Sequence, residues 1–210
     1  MIEFFVKGGP LMYPLLACSL ISLTVIIERT LFWIREDMRT DRRLVEGVLE
    51  LCREGDWEGV RVKVAGSLDH VVRIMVSGIL HREFSMTKAM ESAAAEEIAR
   101  MRRYLSVLDT MITVAPLLGI LGTVIGIITS FEMLGSTGID HPEAVTGGIA
   151  QALITTAAGL SIAILSVLPF NYFNSRVEGA ASNIEIYATS LEIVYEKLVQ
   201  GEKVEGGHSS

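Results

Sequence analysis

The chain has 210 residues, 50% of them hydrophobic and 20% charged, with a formal net charge of -7. So apolar a composition, with a mean hydropathy of +0.44, excludes disorder and a collagen-like repeat, and the acidic balance argues against nucleic acid as a partner. Cys18, Cys52 and four scattered histidines give neither a disulfide framework nor a zinc-binding spacing, so no metal and no cofactor is expected.

The first predicted element is a charge-free window at residues 8–27. Twenty apolar residues in a helix match a hydrocarbon core of about 30 Å. Leu15-Leu16-Ala17-Cys18 loosely resembles a lipoprotein cleavage box, but the apolar run continues nine residues past Cys18 to Ile27. Only Lys7, balanced by Glu3, precedes it. The segment is therefore read as a retained anchor.

Residues 35–103 carry 13 basic and 13 acidic side chains and read as a nearly neutral, helix-rich cytoplasmic lobe. Asp41 is placed to cap a helix with the apolar stripe Leu44, Val48, Leu51 and Cys52, and a second stripe is Val71, Ile74, Met75, Ile79 and Leu80. Gly55, Gly59 and Gly66 mark the turns between them.

From Met86 the apolar residues Met90, Ala94, Ile98, Met101, Leu105, Leu108 and Ile112 recur three and four apart. Ser85 or Thr87 can cap the start. The spacing predicts one helix over residues 87–134, some 48 residues or roughly 70 Å, bent at Pro116. It contains the second charge-free window, residues 110–131.

The third window, residues 144–175, continues as a seam of Phe170, Phe173, Val177, Ala180, Ile184, Tyr187, Leu191, Val194 and Leu198. Such a seam needs a partner, either the helix after Thr87 or another subunit. The expected fold is an all-α integral membrane protein with three transmembrane helices, two of them long and extending into a helical cytoplasmic domain. The expected divisions are 1–34 (first span and outer N-terminus), 35–104 (cytoplasmic helices), 105–134 (second span), 135–145 (outer loop), 146–175 (third span), 176–200 (helix extension) and 201–210 (disordered tail). Thirteen of the 18 Lys and Arg lie in 35–103 and none in 135–145, which places the N-terminus outside and the C-terminus inside.

Within the spans, Gly119, Gly122 and Gly126 on one helix and Gly148 and Gly159 on the next form small-residue faces suited to close packing in lipid. Beside them run the polar residues Thr123, Gln151, Thr155 and Thr156. A membrane threonine most often bonds its own helix carbonyl four residues back, which is the plain structural reading of each. Gln151 is a full amide that needs a polar partner or water at that depth. Residues 110–131 and 144–175 contain no Asp, Glu, Lys, Arg or His. An ion relay needs an ionisable group in the membrane, so unless Asp109 or Glu132 at the ends of the second span contributes, the titrating carboxylate comes from another subunit. There is no phosphate loop and no catalytic constellation, so the chain is not expected to be an enzyme.

Two stretches carry a resemblance: Ala115-Pro116-Leu117-Leu118-Gly119-Ile120-Leu121-Gly122-Thr123-Val124-Ile125-Gly126, and Gly148-Ile149-Ala150-Gln151-Ala152-Leu153-Ile154-Thr155-Thr156-Ala157-Ala158-Gly159-Leu160. They resemble the MotA/TolQ/ExbB proton-channel family, and the three-span layout with Glu28-Arg29 closing the first span suits its ExbB/TolQ branch. The resemblance implies a homopentamer in a bacterial-type inner membrane. It surrounds a single-span ExbD-like or TolR-like partner that brings a membrane aspartate, with a TonB/TolA-like protein beyond. It implies that Thr123 and Thr156 line the ion path, and that the proton-motive force drives partner movement for outer-membrane transport or envelope maintenance. Gln151 stands where the family often has a glutamate, Pro169 stands one turn after the family's proline position near Leu165, and Asn171 matches a family asparagine. A different class of function is a non-conducting scaffold that assembles a membrane partner. The residues do not choose between protons and sodium, or between the uptake and envelope roles.

Overall fold

The computed structural model describes residues 8–137 and 142–206. All regular elements among them are helices: α1 (Met12–Asp37), α2 (Arg42–Arg53), α3 (Trp57–Val64), α4 (His70–Leu80), α5 (Met86–Arg102), α6 (Leu105–Thr137) and α7 (Pro142–Gly206). Three helical stretches are long and apolar enough to cross a membrane: Met12–Asp37, Met86–Gly135 and Thr146–Gln200. The chain forms two compact units, one from Met1–Thr30 and Tyr104–Asn174, the other from Leu31–Arg103 and Ser175–Ser210.

In the first unit many large apolar side chains point outward, although Leu15, Leu108 and Phe173 are buried. Leu117, Ile120, Leu153 and Ile164 are all more than half exposed, whereas Ala115, Ala152 and Thr155 are buried. Lipid solvates large apolar groups as well as a protein interior does, so the contact between α6 and α7 is left to residues that permit close backbone approach. Helix α1 joins through Leu15 and Cys18, which pack on Ala115 with Met111, Leu118, Ala158 and Ile162 around them. Pro116 and Pro169 lie inside α6 and α7.

The second unit is built the other way round. Val48, Cys52, Ile74, Met75 and Leu191 are at most 1% exposed and belong to one core that also takes Met86, Met90, Ile184 and Val194. The seam on α7 is therefore packed within the chain, the first of the two alternatives. Burial pushes the Cys52 thiol up to about 11. Asp41 caps α2 by accepting from the N–H groups of Arg43 and Leu44. Asp69, fully buried, caps α4 through Val71 N (2.7 Å) and Val72 N (3.2 Å) and also accepts from Asp41 N (2.9 Å). One carboxylate thus ties the starts of two helices. Buried charges are paired: Glu36 meets His70 Nδ1 at 3.1 Å and Arg100 at 3.3 Å, and Glu97 meets both Arg100 and Arg73 at 2.8 Å.

Several expectations need correction. The helix expected over 87–134 is interrupted at Arg103 and Tyr104. Arg103 takes an extended conformation and Tyr104 is left-handed, with φ 65°, which costs an L-residue about 1–2 kcal/mol. The Arg29 guanidinium, 2% exposed, lies 5.6 Å from the centre of the Tyr104 ring and supplies a cation–π contact there. A continuous apolar stripe does not register such a break, because two non-helical residues leave both neighbouring helices with apolar faces. Ser85 occupies the cap position of α5 without a side-chain bond, and Thr87 lies inside the helix. Leu80 is 72% exposed. Gly55 and Gly66 do sit in left-handed turns (φ 72° and 80°), but Gly59 is inside α3, its N–H given to the Asp56 cap. Helix α7 continues to Gly206, past the start of the expected tail. Residues 138–141 of the expected outer loop and 207–210 of the tail lie outside the described residues.

Candidate functional site

The contact between α6 and α7 is set by glycine. A Cβ on Gly119 would stand 3.1 Å from both Thr155 O and Thr156 Cα, one on Gly126 would stand 2.9 Å from Gly148 O, and one on Gly159 would stand 2.5 Å from Ala115 O. These neighbours are backbone atoms, which cannot rotate aside. A Cβ on Gly122 would strike the Thr155 side chain, and one on Gly148 the Ser130 hydroxyl. All five expected packing glycines therefore lie at close approaches in this one interface.

That closeness sorts the hydroxyls. Thr155, 1% exposed, fills the space over Gly122 and donates to Ala152 O at 2.8 Å. Ser130, also buried, donates to Gly126 O at 2.8 Å. Thr113, Thr129 and Ser161 bond their own helix carbonyls four residues back, at 3.2, 3.0 and 2.7 Å. These groups are spent on their own backbone.

Thr123 and Thr156 behave differently. Both are half-buried, and their hydroxyls hydrogen-bond each other across the two helices. Thr156 donates to Gly119 O on the opposite helix at 2.9 Å. Each hydroxyl has one proton and can also accept, so either threonine can donate to the other while the pair is anchored on the Gly119 carbonyl. Thr123 also lies 3.4 Å from both Gly119 O and Ala152 O. The result is a short string of exchangeable donors and acceptors that joins the two helices at a place where neither carries an ionisable group. A hydroxyl can relay a proton or help solvate a small cation, but it cannot hold a net charge in lipid.

The site thus brings together two of its four expected polar members. Thr155 is beside them but locked. Gln151 is half-buried, and its amide lies against Gly9, where a Cβ would come within 2.8 Å of Gln151 Cδ. Gly9 has φ 71°, a conformation that favours glycine, while the Gln151 amide beside it is the end of a flexible side chain. The Gly8-Gly9-Pro10 run was a visible turn signal, but nothing in it pointed to Gln151. The Gly119 carbonyl had no signal at all, since every residue carries one. Among the described residues no cluster of three or more His, Cys, Asp or Glu could hold a metal ion.

The family model described as MotA/TolQ/ExbB proton channel family matches residues 68–186. The chain is 36% identical over 199 residues to the biopolymer transport protein ExbB-like 3 of Synechocystis sp., covering 91% of this chain and 93% of that one. It is 30% identical over 189 residues to a biopolymer transport protein ExbB homolog of Methanothermobacter thermautotrophicus, 88% and 67% of the two chains. To the Tol-Pal system protein TolQ of Pseudomonas aeruginosa it is 28% identical over 206 residues, covering 86% and 88%.

Proposed function

The chain belongs to the MotA/TolQ/ExbB proton channel family, and from that premise we propose that it is the channel-forming subunit of an ion-driven motor in a bacterial-type inner membrane. At the coarser level it is a multi-pass membrane subunit of the transport-energising ExbB/TolQ kind. The finer reading is that five copies, with N-terminus out and C-terminus in, surround a single-span ExbD/TolR-like partner. The partner brings the carboxylate that residues 110–131 and 144–175 lack, and Thr123 and Thr156 provide the hydroxyl wall past which its proton is exchanged. Each charge crossing 100 mV releases about 2.3 kcal/mol, which drives the partner's movement. A TonB/TolA-like protein receives that movement for outer-membrane transport or envelope maintenance.

The observation that carries this reading is the Thr123–Thr156–Gly119 string. Unlike Thr113, Thr129 and Thr155, which bond carbonyls of their own helices, this pair is turned toward one another between helices. The same bridge favours a second reading, in which it is a packing staple of a non-conducting scaffold. Valine keeps the shape of threonine and removes the hydroxyl, so Thr123→Val and Thr156→Val separate the two. With the partner co-expressed, intact complexes with ion-driven work reduced at least about tenfold are the expected result. Unchanged work with intact complexes rejects conduction through this pair, and loss of the complex itself supports the staple.

A further inference from the structure

The second unit carries two unlike faces that fit each other. Between α5 and α7 runs a groove of about 540 Å³ whose floor includes Ala94, Ile98 and Ala181. Its edges hold Glu91, Glu178, Glu185 and Glu192 against one arginine, Arg102. Three of the glutamates recur every seven residues on α7, so they form one stripe along the groove. Glu91 and Glu185 form no salt bridge among the described residues.

The other face lies at the end of α1 and the turn after it. Ile34 is 52% and Met38 82% exposed, and Arg35, Arg39, Arg42 and Arg43 are exposed around them. None of these four arginines forms a salt bridge among the described residues. The acids interspersed with them have partners: Glu36 is buried on His70 and Arg100 with Arg39 also near it, Asp37 is paired with Arg176, and Asp41 caps α2. Asp37 and Asp41 are exposed but tied to partners, so the face is predominantly cationic around Ile34 and Met38, the complement of the groove.

The two faces also lie near one another within this unit: Glu36 meets Arg100 and Asp37 meets Arg176, which brings the end of α1 beside the Arg102 and Glu178 end of the groove. They lie on different flanks of α7: Gly179 and Asn183 line a cavity that α1 also lines, while Glu178 and Glu185 line the groove beside α5. One protomer therefore does not close its own pair. Two different faces that meet head to tail build a ring when the rotation closes.

We propose that the arginine-bearing end of α1 in one copy docks on the glutamate-edged groove between α5 and α7 of the next, forming the contact that closes the ring. This rests on the homo-oligomer reading above. The test uses the full chain co-expressed with its companion subunit in membranes. Cys18 and Cys52 are buried, so a Met38→Cys, Ala181→Cys chain reports this contact, and an oxidised ladder of multimers ending at a closed ring is expected. Arg43→Glu and Glu185→Arg each place like charges together and should weaken association about tenfold, with recovery in the double variant. Helix content of each variant, both at exposed positions, separates loss of contact from loss of fold. An intact oligomer with no cross-link, single variants that assemble normally, or a groove cysteine that links to the companion chain would each overturn the proposal. A cross-linked ring that does no ion-driven work rejects the conduction reading and leaves this contact standing. Work retained without the cross-link does the reverse.

Discussion

The α6–α7 contact of the first unit and the core of the second bury different things. In the first, Gly119, Ala152 and Thr155 are inside and Leu117, Ile120 and Leu153 are outside. In the second, Met75, Ile74 and Leu191 are inside, and the outside is dense with charge. The difference follows from solvent. Water drives large apolar groups together at roughly 25 cal/mol per Å². Lipid does not, so the membrane helices are held by close backbone contact and by hydroxyls that find a carbonyl. The same substitution should therefore have opposite consequences in the two places.

The largest effect is expected where the membrane helices touch. Gly159→Leu drives a side chain into the Ala115 carbonyl, which cannot yield. Overpacking usually costs about 1–3 kcal/mol, but a leucine driven against helix backbone that cannot rotate aside should cost on the order of 5 kcal/mol or more. The complex should fail to accumulate, as followed by membrane-fraction blotting and thermal stability in detergent. Normal accumulation would mean that the α6–α7 contact is not what holds the first unit.

Cavity formation comes next and sharpens the contrast. Met75→Ala empties a fully buried site in the second unit and should cost about 2–5 kcal/mol. Leu117→Ala, at a 58% exposed position on the first unit, should cost no more than about 0.5 kcal/mol. Comparable losses at the two sites, measured by denaturation of the purified protein, would erase the distinction. Asp69→Ala removes the acceptor shared by three backbone N–H groups and should cost about 2 kcal/mol, seen as faster amide exchange at the starts of α2 and α4.

The smallest effect concerns reactivity. With the Cys52 thiol raised from 9.0 to about 11, its thiolate fraction at neutral pH falls about 100-fold. Cys52 should resist a maleimide until the second unit opens or the pH approaches 11. Rapid labelling at pH 7.5 in the folded protein would show that this core is not closed.

Much of the second unit's core was readable in advance. Val48, Cys52, Val71, Ile74, Met75 and Ile79 fall at helical spacing and are buried, and Asp41 caps its helix as its type and place suggest. Leu80 was misread because it ends its helix and turns outward. The break at Arg103 and Tyr104 was invisible because apolar periodicity runs through it. It is held in part by Arg29, 75 residues away in sequence.

The three membrane spans and the missing carboxylate followed from sequence alone, because the cost of burying a charge in hydrocarbon is paid residue by residue and composition records it. Thr155 and Thr156 are another matter. They are neighbours of identical chemistry, separated by about 100° around one helix. One is locked over Gly122 and the other reaches the carbonyl of Gly119 on the facing helix. Only the packing of α6 on α7 distinguishes them, since the acceptor that does so is a backbone atom made available by the glycines around it.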